Sequence, residues 1–274
     1  MVTSLTPEQF KKKQNVFTRL NQAIRDHLQQ IGVAIVAFKD GEPYELGSGT
    51  CVKIGDRCFI ATAAHVIDKY PNEALFLITQ QEPQDSTPVI IGRGSDPDLD
   101  VAWLELQPGV ERTLGRNFIA IDRMRLGVAH LEKDLVVVYG YPSEKASVHR
   151  GSRIHGLGVQ PICFATNTLD GTERPTSANV ARDICLAYPY EHLWGPDGPM
   201  AGIAAPGLSG GGIWTVEAGT QGLWSPDKCQ LVGIEHSWSP WKWVKGSQVQ
   251  HFLALMVRQL PELASTIHAV HPNI

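Results

Sequence analysis

The chain has 274 residues, of which 43% are hydrophobic and 19% are charged, with a formal net charge of -4 at pH 7. These values are typical of a globular protein with a packed core. The slight acidity argues against a broad nucleic-acid-binding face, which needs clustered Lys and Arg. No run reaches the roughly 18 apolar residues of a membrane helix, and the N-terminal residues lack the pattern of a secretory signal. We therefore expect neither nucleic acid nor a membrane as a partner.

The cysteines Cys51, Cys58, Cys163, Cys185 and Cys229 are odd in number and widely spread. No CxxC pair occurs among them, so a structural zinc site has little support. We expect buried free thiols in a reducing compartment, which points to the cytoplasm. Nothing in the chain calls for a metal or another cofactor.

The first thirty residues carry the signals of a helix. Thr6-Pro7-Glu8-Gln9 supplies an N-cap, a first-turn proline and a capping-box glutamine. Apolar residues then lie on one helical face, with Phe10 two turns before Phe17 and intervals of three to four from Phe17 to Leu28. This spacing predicts an amphipathic helix from about residue 7 to 30, whose basic run Lys11–Lys13 is a solvated face. We treat residues 1–30 as a helical extension that packs on the rest of the chain or docks another protein.

Short apolar runs separated by turn residues follow from residue 31 onward. Gly55-Asp56 between two such runs indicates a hairpin. The runs form two series, and the second begins at "DLVVVYGYP". Many short strands and few helical patterns predict an all-β barrel or sandwich. A last helical stretch, "SQVQHFLALMVRQL", is predicted to end or kink at Pro261.

Three segments contain residues that could act together in catalysis. In "ATAAHVID", an apolar strand ends in small alanines, and His65 follows where a helical turn would start. In "SDPDLDVAWLEL", Asp100 directly precedes an apolar strand, where a carboxylate is costly unless another group satisfies it. In "APGLSGGGIW", glycines flank Ser209 and permit a turn that aims backbone N–H groups inward.

These residue types are the ones that nucleophilic catalysis by serine requires. A serine hydroxyl needs a histidine base, and the histidine needs a carboxylate that holds its tautomer. Backbone N–H groups must also face the oxyanion that develops. Taken singly, each segment has an ordinary reading: a core or surface histidine, a solvated acidic turn, and a glycine-rich loop between strands.

Taken together, "TAAHV", "DVAWL" and "GLSGGGIW" resemble the signature segments of chymotrypsin-like (trypsin-fold) serine peptidases, in that family's order. "QLVGIEHSW" (230–238) resembles the strand that follows the nucleophile and borders the specificity pocket. The resemblance spans roughly residues 31–262. It implies an all-β fold of two six-stranded antiparallel barrels with terminal helices. The first barrel would occupy residues 31–125, and the second barrel with a C-terminal helix would occupy 126–274.

The resemblance also implies roles for particular residues in cleaving a protein or peptide substrate. Ser209 would attack the carbonyl, His65 would take its proton and pass it to the leaving amine, and Asp100 would orient His65. The N–H groups of Gly207 and Ser209 would form the oxyanion hole. The substrate main chain would pair, as an added strand, with His236, Ser237 and Trp238.

Two departures from the family pattern are informative. Many trypsin-like enzymes have an aspartate just before the serine, which binds a new N-terminus freed by cleavage. Leu208 stands at that position here, so the resemblance implies a peptidase of the intracellular bacterial type, without a zymogen switch. Cys51 matches a family position, but its usual partner beside the histidine is replaced by Val66.

Substrate preference depends on a pocket floor that the resemblance assigns to Ile203, Ala204 and Ala205. These residues are small and apolar, with no acid to pair an Arg or Lys. Glu235 and His236 lie on the pocket-wall strand, where either could add polar selectivity, unless Glu235 points away. We expect a small or medium apolar residue before the scissile bond.

Two other readings stay open. "GLSGG" also satisfies G-x-S-x-G, the nucleophile elbow of α/β-hydrolases. That fold needs a strand before the serine, a helix after it, and a downstream acid and histidine, for which Asp227 with His251 or His268 could serve. The other reading is a catalytically silent barrel that binds extended peptides.

Overall fold

The structure is a computed structural model that describes residues 7–39, 42–71, 73–79, 90–127, 131, 135–150, 155–188, 191, 193–217 and 225–274. Thr6, the expected N-cap, lies outside these residues. The α-helices of the described chain lie at its two ends and at two short turns within it. They are α1 (Pro7–Gln29), α2 (Ala64–Asp68), α3 (Val110–Leu114), α4 (Val249–Gln259) and α5 (Ala264–Val270).

The first half of the chain forms one antiparallel sheet in the order β4-β1-β2-β3-β6-β5. A short seventh strand, β7, pairs in parallel with β2. The expected hairpin at Gly55 connects β2 and β3, and Gly55 has the positive φ of 60° that such a turn needs. The strands are β1 (Gly32–Lys39), β2 (Glu42–Ile54), β3 (Arg57–Thr62), β4 (Leu75–Ile78), β5 (Ile90–Asp96), β6 (Val101–Leu106) and β7 (Ile119–Ala120).

The second half forms another antiparallel sheet, in the order β12-β17-β16-β15-β8-β11, extended by a short β13–β14 hairpin. A separate two-stranded ribbon, β9–β10, lies outside it. The strands are β8 (Leu135–Gly140), β9 (Ala146–Arg150), β10 (His155–Val159), β11 (Ile162–Thr166), β12 (Asp183–Ala187), β13 (Leu193–Gly195), β14 (Gly198–Met200), β15 (Gly212–Val216), β16 (Cys229–Ser239) and β17 (Trp243–Gln248).

Both six-stranded runs curl into half-barrels, which confirms the predicted architecture. The nucleophile elbow that the alternative α/β-hydrolase interpretation requires is absent from the described residues around Ser209. No strand is formed by residues 201–211, and strand β15 rather than a helix follows Ser209. That alternative was therefore wrong about the fold around the serine.

Helices at both ends of the chain complete the core. Ile24 and Leu28 of α1 are fully buried in the hydrophobic cluster of the first sheet. Phe252 and Met256 of α4 are buried in the same cluster. Helix α4 ends at Gln259, two residues before Pro261, as the sequence predicts.

All five cysteines are buried free thiols, as expected from their spacing. Cys51 and Cys58 lie on neighbouring strands without a bridge. None of the helices in the described ranges is long and apolar enough to span a membrane.

Candidate active site

His65 lies at the second position of α2, immediately after the strand β3 that delivers it. Its ring Nδ1 is 2.9 Å from Oδ2 and 3.1 Å from Oδ1 of Asp100. Its backbone N–H also donates to Oδ1 of Asp100, at 3.0 Å. An ionised carboxylate only accepts hydrogen bonds, so the proton of the neutral imidazole sits on Nδ1 and leaves Nε2 as an acceptor.

Asp100 occupies a backbone conformation that residues other than glycine rarely adopt, with φ of 50°. Two side chains from the second half of the chain hold the backbone just before Asp100: Arg182 precedes β12, and Ser247 lies on β17. Arg182 donates to the Asp98 carbonyl at 2.8 Å, and the Ser247 hydroxyl donates to the Leu99 carbonyl. Contacts from the second half of the chain therefore hold Asp100 in this strained conformation.

Burial on its own would raise the pKa of Asp100. The hydrogen bonds and charge of His65, together with the charge of His236, outweigh that effect and hold the pKa below its usual value. The carboxyl is therefore ionised at neutral pH, as a group that stabilises an imidazolium must be.

The turn that carries Ser209 is held between the two sheets. The Ser209 carbonyl accepts a hydrogen bond from the Ser48 N–H at 2.8 Å, and the Gly210 N–H donates to the Glu235 carbonyl at 2.7 Å. Gly207 and Gly210 have φ of 90° and 88°. A Cβ at Gly210 would lie 2.0 Å from the Ser48 carbonyl oxygen, so only glycine fits this approach.

The N–H groups of Gly207 and Ser209 have no acceptor among the described residues. The carbonyls that share their peptide units are both engaged: Ser143 N–H donates to Pro206 at 2.7 Å, and Gly211 N–H donates to Leu208 at 2.8 Å. The C=O and N–H of a trans peptide point in opposite directions. Both N–H groups therefore point away from Ser143 and Gly211 and remain available as hydrogen-bond donors.

His65 and Ser209 line one cavity of about 170 Å³. No hydrogen bond joins the two side chains in the part of the chain that the structure describes. In unliganded enzymes such bonds are often long and tighten when substrate binds. The other residues that line the cavity are Leu46, Val66, Lys69, Ser143, Pro206 and Gly207. A larger cavity of about 340 Å³ borders β4 and β5 and contains none of the three candidate catalytic residues.

The expected pocket-floor residues are mostly buried. Ile203 and Ala205 are buried, and Ala204 is half-buried. The Ile203 carbonyl accepts from the Tyr188 hydroxyl at 2.6 Å, and the Ala204 N–H donates to the Glu144 carboxylate at 2.7 Å. These contacts fix the backbone of the segment that leads to Ser209.

Glu235 is only 1% exposed, and neither carboxyl oxygen has a hydrogen-bond partner within the described ranges. Burial, and secondarily the negative charge of Asp100, raise its pKa to about 8. The Ser209 hydroxyl and the Ser237 backbone lie close enough to offset this in part, but they do not reach hydrogen-bonding geometry. Glu235 is therefore mostly protonated at neutral pH.

His236 departs from its expected role as a pocket-wall side chain. Its ring is turned inward, and Nδ1 lies 3.7 Å from Oδ2 of Asp100. On the far side of the ring lies Asp183, which sequence reasoning missed. Asp183 precedes the apolar run of β12, as Asp100 precedes β6, so the same signal was present. Ser237 and Trp238 are half-buried on the same strand.

Neither a family model nor a curated protein matches the chain's sequence. Solved structures of proteases do match its fold. A scabies mite inactivated protease paralogue, S-I1, superposes with a TM-score of 0.50 at 14% identity, over 86% of this chain and 96% of that one. HL collagenase superposes with a TM-score of 0.51 at 17% identity, over 85% and 94%.

A serine endoprotease from Yersinia pestis superposes with a TM-score of 0.50 at 16% identity, over 87% of this chain and 65% of that one. Identities this low establish the fold and leave activity open, and one of the three neighbours is described as inactivated. The chain has the trypsin-like serine protease fold.

Proposed function

We propose that the protein is a serine endopeptidase that cleaves peptide bonds through Ser209, His65 and Asp100. The observation that carries the proposal is the carboxylate of Asp100 bonded to both the ring and the backbone of His65, at the cavity that Ser209 also lines. A surface histidine and a solvated acidic turn would not need this pairing.

In the proposed reaction, Ser209 Oγ attacks the substrate carbonyl while Nε2 of His65 accepts its proton. His65 then donates that proton to the leaving amine, and an acyl-enzyme remains. Water repeats the sequence and releases the acid. Asp100 stabilises the imidazolium, and the available N–H groups of Gly207 and Ser209 stabilise the oxyanion.

We further propose that the site needs no activating cleavage of the chain. Leu208 is fully buried and apolar, so it cannot bind a new N-terminus through a carboxylate. The turn is instead supported by Ser48 and Ser143, which belong to the folded barrel. These contacts are consistent with a site that is already formed before any cleavage of the chain.

The substrate proposal is a protein or peptide that adds a strand beside His236–Trp238 and places a small or medium apolar side chain near Ile203 and Ala205. If α1 docks another protein, it must use its outer face, because Ile24 and Leu28 are buried. The free thiols support a reducing compartment such as the cytoplasm.

A silent peptide-binding barrel is the second candidate. The observation in its favour is that no hydrogen bond links Ser209 to His65 within the described chain. A binding protein has no need of an ionised Asp100 bonded to His65, however, so we rank catalysis first.

A fluorophosphonate probe separates the two candidates, because it reacts covalently with an activated serine. We expect the wild type to be labelled, and both Ser209→Ala and His65→Ala to lose labelling. Intact mass spectrometry measures the adduct, and circular dichroism checks folding. A folded wild type that takes up no probe would contradict the proposed function, and labelling that survives His65→Ala would contradict the role of His65.

A further inference from the structure

We propose that His236 and Asp183 form a second histidine–carboxylate pair that positions Asp100, and that both are positioning residues for the reaction. This inference rests on the proposed peptidase function. It extends the site into the second sheet, since His236 lies on β16 and Asp183 begins β12.

The His236 ring lies between two carboxylates. Its Nδ1 is 3.7 Å from Oδ2 of Asp100, and its Nε2 is 3.8 Å from Oδ1 of Asp183. The His236 side chain is 7% exposed and the Asp183 side chain is fully buried. Nε2 is buried without a hydrogen-bond partner in the described residues. A ring nitrogen on each side thus faces an acidic oxygen, in an environment that water does not screen.

A local irregularity of β16 accompanies this placement. The pairing of β16 with β17 shifts register between Glu235 and Ser237, which leaves His236 without a partner across the ladder. An extra residue of this kind re-aims a side chain, and bulges are frequent beside active sites. The bulge accounts for a ring that faces Asp100 instead of standing on the regular face of the strand.

Asp183 is anchored independently of His236. Arg182 Nε lies 2.7 Å from its Oδ1, the Asn179 N–H donates to Oδ2 at 2.9 Å, and Lys245 Nζ lies 3.7 Å from Oδ2. Burial would raise the pKa of Asp183, but His236, Arg182, Asn179 and Lys245 together hold it well below its usual range. Asp183 therefore presents a fixed negative charge to the ring.

The charged and titratable groups around His236 come from several elements. Asp100 faces it from the turn before β6, Asp183 from β12, and Lys245 from β17 beyond Asp183. Glu235 precedes it on β16 and is mostly protonated, so it adds little charge near neutral pH. The carboxylates of Asp100 and Asp183 are thus the ionised groups next to the ring, and they flank it.

The function of the pair follows from the geometry of Asp100. The same Oδ2 that lies 2.9 Å from His65 also faces His236. The ring on that side limits rotation of the carboxylate out of the His65 plane, and its charge favours the ionised form of Asp100. Asp183 in turn holds the ring in place. Outer-shell partners of this kind change activity by roughly 10- to 100-fold when removed from metal sites.

The test compares the rate of fluorophosphonate labelling across pH in the wild type, His236→Ala and His236→Gln. We expect His236→Ala to slow labelling about tenfold and to move the acid limb of the profile to higher pH. Without His236, the His65–Asp100 pair holds its proton more tightly. Gln keeps a polar N–H group beside Asp100, so His236→Gln should recover part of the rate. The matched control, His268→Ala, alters an exposed histidine of α5 and should behave as wild type.

A second readout does not depend on turnover. We expect the ring signals of His65, followed by NMR, to titrate at higher pH in His236→Ala and in Asp183→Asn than in the wild type. Asp183→Asn should shift the His65 titration less in a His236→Ala background than in the wild type, because part of its effect passes through that ring. If His236→Ala does not fold, His236→Leu, which fills more of the space and also removes both ring nitrogens, replaces it in both measurements.

The outcomes separate the two claims. An unlabelled wild type would contradict the peptidase function, while the NMR titration would still decide the role of the pair. Labelling within about twofold of wild type in folded His236→Ala and His236→Gln, with an unmoved acid limb and an unmoved His65 titration, would overturn the inference.

Discussion

Two carboxyl groups near Ser209 lie in opposite electrostatic environments. Burial would raise the pKa of Asp100, but His65 and His236 lower it overall. Burial, together with the negative charge of Asp100, raises the pKa of Glu235 to about 8. Paired groups whose surroundings separate their pKa values are typical of functional sites.

The raised pKa of Glu235 makes a prediction about stability. The pKa is 4.5 in the unfolded chain and about 8 in the folded state. Between these two pH values, the folded state keeps the carboxyl proton, whereas the unfolded chain has released it. Stability should therefore fall as pH rises through that window, by at most about 1.4 kcal/mol per pH unit. Glu235→Gln should remove this slope and be more stable than wild type at pH 8. Urea unfolding from pH 5 to 8 measures it.

The matched control for this experiment is Glu217→Gln, since Glu217 is exposed. It should keep the wild-type slope. If Glu235→Gln and the wild type lose stability in parallel over the same pH range, then the Glu235 carboxyl is not held in the protonated form and the description of its environment is wrong.

At the scale of elements, the turn around Ser209 contains two glycines, Gly207 and Gly210, that combine a positive φ with a crowded Cβ position. A Cβ at Gly210 would meet the Ser48 carbonyl and the Thr62 hydroxyl, at 2.0 and 2.2 Å. Gly55 has a similar positive φ of 60° in the β2–β3 hairpin, but a Cβ there meets nothing within 4 Å. An added Cβ would therefore strain the backbone at both positions, but it would collide with other atoms only at Gly210.

Gly55→Ala should cost only the strain of a left-handed residue, about 1–2 kcal/mol. Gly210→Ala should cost a further 1–3 kcal/mol, roughly, because the collision forces Ser48 or the turn to move. It should also slow fluorophosphonate labelling by at least about tenfold, since the turn presents the nucleophile. Urea unfolding and labelling rates measure both effects. Equal losses in the two variants would mean that the turn has room to relax.

Elements with local signals were predictable from the sequence. Capping residues and apolar spacing predict α1, and the Gly55 turn predicts the β2–β3 hairpin. The bulge at His236 was not predictable, because it arises from how β16 pairs with β17. Register between strands depends on contacts distant in sequence, so no local pattern indicates which way the His236 ring points.

At the scale of the whole molecule, the site exists only where the two sheets meet. His65 and Asp100 lie in segments that flank strands of the first sheet, whereas Ser209 lies in the turn that leads into β15 of the second. Ser48 of β2 joins them: its hydroxyl donates to the Gly207 carbonyl and accepts from the Tyr141 N–H, both at 2.7 Å. Packing between the sheets therefore sets the geometry of the nucleophile turn.

The order and character of the three signature segments predicted two six-stranded antiparallel half-barrels, and the fold confirms them. The roles of Ser209, His65 and Asp100 remain predictions. The contribution of Ser48 was not predictable, since a buried serine in a strand carries no distinctive signal. The fold is shared at 14–17% identity with proteases that include an inactivated paralogue. Function must therefore be argued from the side chains of the site.

The central claim is that the protein cleaves peptide bonds through Ser209. The most direct measurement is mass spectrometry of a diverse peptide library incubated with the wild type and with Ser209→Ala. We predict cleavage by the wild type, mainly after small or medium apolar residues, and none by Ser209→Ala. A library left intact by folded wild type, or cut equally by Ser209→Ala, would contradict the account.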